Sequence, residues 1–280
     1  MLGKLTKHEL IASGRMIIPM YIALVFTTFF GKLFIWLSSK EVFLESVPLT
    51  FAKIVRSISS LFTILYILLI IVVMVATVLF IAIRFYKNFY TDEGYLMFTL
   101  PVNSKSLITS KLISAFLWTI LSSAIVLGSL FLIMNTEETR SSFKLLWEEF
   151  ILMLKRMAPE MNIPFWLLVT EIIALIVIAM LGQYLMVYTS IAAGPTFSSK
   201  SKIVGSIIAY VIINILGQIV SFIMMYVLST IMPNYIDALN QNAGQAVQYT
   251  IVSTTGLNVI FCVVFFFVTD HLMKTKTNLD

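Results

Sequence analysis

Six long apolar runs, at residues 16–36, 61–83, 112–134, 165–188, 204–231 and 251–268, set the terms on which this chain folds. A helix rises about 1.5 Å per residue, so about 20 apolar residues cross a hydrocarbon core roughly 30 Å thick. Inside hydrocarbon every backbone N–H and C=O needs a partner within the protein, which leaves helices and closed barrels as the spanning structures. Barrel strands would alternate polar and apolar residues over about ten positions. These runs do not alternate, so the expected fold is an all-α integral membrane protein with six transmembrane helices in a single transmembrane domain. A content of 59% hydrophobic and 12% charged residues, far from the balance of a soluble domain, agrees with this.

Lys and Arg orient the spans. With both termini cytoplasmic, the inner segments hold eleven of the 19 basic residues, and the excess favours that orientation. The basic inner face suits anionic lipid headgroups, so membrane lipid rather than nucleic acid is the expected partner of the net positive charge. Residues 1–15 alternate Leu2, Leu5, Leu10 and Ile11 with Lys4, Lys7 and His8, the pattern of a helix lying in the cytoplasmic interface. The first run is too long, and lacks a small-residue cleavage site, for a signal that is removed. At residues 143–157, Phe143, Leu146, Trp147, Phe150, Leu154 and Met157 recur every three or four positions between charges, which predicts an extracellular amphipathic helix. The lone Cys262 is expected to pack within its span.

Catalysis finds no motif. Two histidines near the termini, no HExxH, no GxSxG and no paired carboxylates in a span argue against an enzyme or a metal site. There is no GxxxxGK phosphate loop, so ATP, if it powers this chain, binds to another polypeptide. Polar groups within the spans are few. Glu171 is the one carboxylate well inside, expected to bond a neighbouring helix, to snorkel outward, or to meet a cationic group of a substrate. Asn214 and Gln218, one turn apart on the fifth span, join Glu171 as candidate substrate-pathway residues. With Gln183 and Asn258 they are also expected to form interhelical hydrogen bonds.

Residues 84–111, RFYKNFYTDEGYLMFTLPVNSKSLITSK, interrupt this pattern with a charged and aromatic loop on the cytoplasmic side. Arg84 and Lys87 mark the headgroup boundary, and Phe85, Tyr86, Phe89 and Tyr90 read as an aromatic girdle. Thr91 or Asp92 can cap a short helix that Pro101 stops. That helix carries Tyr95, Leu96, Met97, Phe98 and Leu100, and exposing them to water costs ~25 cal/mol per Å². The segment must rest on lipid or fit into a partner.

The DEGYLMFTLP core of this loop resembles the segment after the second span in permease subunits of bacterial type-II ABC exporters, especially Gram-positive peptide exporters of the phenol-soluble-modulin kind. The resemblance implies that Asp92, Glu93, Gly94, Tyr95, Leu96, Phe98, Thr99, Leu100 and Pro101 form the coupling helix that docks on a cytosolic ABC ATPase. It further implies two ATPases that bind ATP and Mg, a second permease subunit forming a homodimer in preference to a heterodimer, and a place in the bacterial plasma membrane. The expected cargo is an amphipathic, antimicrobial or cytolytic peptide moved outward, with lantibiotic-type immunity or drug and lipid export as alternatives. An ion-coupled secondary transporter is the alternative of another class, set apart by needing no ATPase.

Overall fold

The computed structural model describes residues 2–39, 47–91, 94, 102–134, 137–198, 201–231 and 243–275. Among them the regular structure is entirely helical. In chain order the helices are α1 (Leu2–Ser39), α2 (Leu49–Tyr90), α3 (Ser104–Ile133), α4 (Glu137–Glu160), α5 (Phe165–Phe197), α6 (Lys202–Ile231) and α7 (Ala243–Thr275). All but α4 are long and apolar enough to cross a bilayer, so this is a multi-span membrane protein. Large apolar side chains lie exposed along every spanning helix, among them Phe29, Ile64, Leu127, Ile173, Phe222 and Ile260. Such surface is stable in lipid and unstable in water.

The helices outrun the apolar runs. α1 begins at Leu2, so residues 2–15 continue into the first span as one helix rather than forming a separate segment. Polar side chains there change which solvent the helix prefers, but none of them breaks it. Residues 84–90 are likewise the last turns of α2, and residues 104–111 the first turns of α3. The segment expected as a loop over residues 84–111 is therefore helical at both ends, over 84–90 and 104–111. α4 contains the expected amphipathic stretch; Phe143, Leu146, Trp147 and Phe150 stay exposed, while Leu154 is buried with Met161 and Leu168.

The chain divides into two compact units, Met1–Arg84 with Ile113–Lys144 and Phe85–Leu112 with Leu145–Asp280. Buried hydroxyls join the helices of the first. Tyr21 and Ser122 share a hydrogen bond of 2.5 Å, Ser122 and Thr77 one of 3.0 Å, and Tyr66 and Ser129 another of 3.0 Å. Phe62 of α2 stacks against Phe30 and Phe34 of α1, and Arg84 Nε donates to Glu9 Oε2 at 2.9 Å.

In the second unit α5 packs against both α6 and α7. Thr189 and Thr269 share a hydrogen bond of 2.9 Å between α5 and α7. Helices in lipid gain little from apolar burial, so such polar bonds carry more of the specificity than they would in water.

Ser122 links two partners on two other helices, which makes it the sharpest test of this. Interhelical hydrogen bonds in membranes contribute about 0.6 kcal/mol on average and up to about 1.7. Ser122→Ala is expected to cost about 1 kcal/mol in detergent-induced unfolding, whereas Ser60→Ala, whose hydroxyl bonds only its own helix at an exposed position, should change little.

Candidate functional site

Gly182, midway along α5, opens the second unit to function. A Cβ at this position would lie 3.3 Å from Cys262 Sγ and 3.9 Å from Asn258 Oδ1, so the missing side chain lets α7 come close to α5. One turn earlier the Cys262 thiol donates to the Ile178 carbonyl at 3.5 Å, which gives the lone cysteine the packing role expected of it. Beside this contact a cleft of about 390 Å³ opens among three helices. Gly182, Gln183 and Met186 line it from α5, Asn214, Gly217, Gln218, Ser221, Phe222 and Met225 from α6, and Asn258, Phe261 and Phe265 from α7. The α6 and α7 positions recur every three or four residues, so each helix offers one continuous stripe.

The four carboxamides of the cleft sit near the middle of their helices, at the depth where an unpaired polar group costs most. Gln218 Nε2 donates to Asn214 Oδ1 at 2.8 Å, and Asn258 Nδ2 donates to the Thr254 carbonyl at 2.9 Å. Both bonds stay within one helix, where the sequence led us to expect bonds between helices. Spacing explains the first, because residues four apart on a helix face each other and reach the nearest partner. The Gln183 amide makes no hydrogen bond to the described residues. Each carboxamide has two donors and an acceptor oxygen with two lone pairs, so much of this capacity faces the cleft. No Asp, Glu, Lys, Arg or His is among the described lining residues.

A second cavity of about 150 Å³ shares Ser221, Met225, Asn258 and Phe261 with the first and extends to Thr250, Ser253 and Thr254. A polar track thus follows one face of α7 from its middle toward its first turns. Glu171 stands outside it. Gln248 Nε2 lies 3.0 and 2.9 Å from the two Glu171 carboxylate oxygens, a bond between α7 and α5. Of the three spanning polar residues singled out, the fold brings Asn214 and Gln218 into the cleft and ties Glu171 to a neighbouring helix.

The end of α2 and the start of α3 belong to the same unit. The rings of Phe85 and Tyr188 stack at 4.1 Å and 8°, Phe89 meets Phe85 at 4.9 Å, and Lys111 Nζ lies 5.0 Å from the Phe89 ring. Tyr188 Oη donates to the Lys111 carbonyl at 3.3 Å. Phe85, Phe89 and Tyr188 are fully buried, so two of the four aromatic residues expected to form a headgroup girdle, Phe85 and Phe89, instead clamp the ends of α2 and α3 onto α5. The four-residue spacing of Phe85 and Phe89 marks one helix face, but Tyr188 lies too far along the chain for its pairing to be read.

The Thr91 hydroxyl donates to the Lys87 carbonyl at 2.6 Å, at the end of α2. Gly94 N–H then donates to the Thr91 carbonyl at 2.8 Å. A Cβ on Gly94 would lie 2.9 Å from the Phe89 carbonyl oxygen, so the chain turns tightly over the end of α2 where a side chain does not fit. Asp92, Glu93, Tyr95, Leu96, Phe98, Thr99, Leu100 and Pro101 lie outside the described residues. Among the described residues no three His, Cys, Asp or Glu side chains gather to hold a metal. The chain matches no family model, and no curated protein or solved structure is similar enough to match it.

The Glu171 and Gln248 pair can be weighed by a double-mutant cycle with Glu171→Leu and Gln248→Leu. A coupling of about 1 kcal/mol is expected in detergent-induced unfolding. Strict additivity would mean that the bond joins α5 to α7 without stabilising them.

Proposed function

We propose that this chain is the permease subunit of an ATP-driven ABC exporter in the bacterial plasma membrane, moving amphipathic peptides outward. Both termini face the cytoplasm, two copies of the chain work as a homodimer, and two cytosolic ATPase subunits hold ATP and Mg. One observation carries the proposal: the helix ends that bracket residues 91–103 are clamped by Phe85, Phe89 and Lys111 onto Tyr188, less than two turns of α5 from Met186 and Gln183 in the cleft. A push on the loop is delivered to a wall of the cleft.

The mechanism follows from this lever. The apolar stretch around Leu96 and Phe98 seats in the ATPase, and Gly94, two residues before it, lies against the Phe89 carbonyl near the end of α2. As the ATPases close and open, the ends of α2 and α3 move together, because Lys111 of α3 lies over Phe89 of α2. Tyr188 passes that displacement to α5, and the cleft changes its width or its opening. Energy enters from outside, in keeping with a sequence that carries no phosphate loop. Against an ion-coupled carrier stands the arrangement of Glu171, whose carboxylate is engaged by Gln248 and lies apart from the cleft.

Co-purification with the ATPase, followed by transport into vesicles, tests the proposal. Glu93→Arg or Leu96→Asp is expected to abolish the complex with helix content unchanged. Tyr188→Ala should leave the complex and its ATP hydrolysis intact while lowering transport at least tenfold, and Gly94→Ala should weaken coupling by shifting the loop. Transport that proceeds with no ATPase present would overturn it.

A further inference from the structure

The cleft combines three properties that together select a ligand. It lies at mid-membrane depth, it presents carboxamides and hydroxyls, and no charged side chain is among its described lining residues. A lipid tail needs none of these polar groups. A phosphate headgroup calls for a cation, and neither Lys nor Arg is there. A peptide group does fit. Its N–H and C=O are one donor and one acceptor that must be satisfied in hydrocarbon, and a carboxamide offers the complementary acceptor and donors. Phe222, Phe261 and Phe265 supply apolar surface beside them.

We infer that the cleft among α5, α6 and α7 is a binding site for the uncharged backbone of an apolar peptide segment. Gln183, Gln218 and Asn258 bond its peptide groups, and Ser253 and Thr254 continue the contacts toward the start of α7. As a statement about cargo this rests on the exporter function proposed above; as a statement about binding it stands without any ATPase. The volume of about 390 Å³ is within the range of small-ligand sites, about 300–1,000 Å³, so the cleft holds a few residues at a time rather than a whole helix. Recognition falls on the backbone, and the side chains of the bound segment need only be apolar.

The purified chain in lipid nanodiscs, without ATPase, tests this with dansyl-phenylalanyl-valyl-leucinamide as the probe. Saturable enhancement of dansyl emission is expected, at least tenfold weaker for the depsipeptide analogue in which esters replace the N–H groups. Gln218→Leu combined with Asn258→Leu should weaken binding of the amide probe tenfold or more, with the circular dichroism spectrum unchanged. Gln183→Leu is a second, safer variant, since that amide has no partner among the described residues to lose, and it should weaken binding severalfold. Equal binding of amide and ester probes, or wild-type affinity in both variants, overturns the inference. So does disulfide cross-linking of two copies through Gln218→Cys in a Cys262→Ala background that excludes the probe, because the cleft would then be covered by a second copy. Loss of the ATPase complex affects none of these outcomes, so the binding site and the exporter function fail separately.

Discussion

Apolar helices in a bilayer gain little by touching, because the lipid they displace is as apolar as they are. What holds this protein together must therefore be sparse and specific. Tyr21, Ser122 and Thr77 form one such point in the first unit, and Thr189 with Thr269 forms another in the second. Phe85 against Tyr188 adds a close stack, a geometry that contributes about 0.5–1.5 kcal/mol beyond the area buried. α6 has few such contacts along its middle: Ile215, Ile219, Phe222 and Ile223 are all exposed. The cleft is the counterpart of that sparseness, a place where polar groups line a gap instead of closing it.

Element type was legible from the sequence, and extent was not. Hydropathy reports where a helix is buried in lipid, whereas the backbone continues for as long as no residue breaks it, so α1 runs back to Leu2 and α2 on to Tyr90. The polar residues of the cleft were also visible one by one. Asn214 and Gln218 declare their shared face by four-residue spacing. Nothing local shows that Gln183 and Asn258, on two other helices, meet them, because that depends on how closely α7 approaches α5 at Gly182. The same limit hid Tyr188 as the partner of Phe85.

The clamp and the cleft give α5 two contrasting stretches. Most of its residues from Tyr184 through Ala192 are buried. Its middle is pared down to Gly182 and faces open space on one side. Under the proposed function, the packed interface relays displacement and the gap converts it into a change of shape. Gly94 makes a similarly close approach, since a Cβ there would lie 2.9 Å from the carbonyl oxygen of Phe89.

The neutrality of the cleft has an electrical consequence. Moving one elementary charge across a membrane changes its energy by about 2.3 kcal/mol for each ~100 mV. The described walls carry no formal charge, so the side chains that line the cleft can rearrange without moving a formal charge through the field. Their rearrangement is a matter of packing and hydrogen bonds, and the membrane potential has little hold on it.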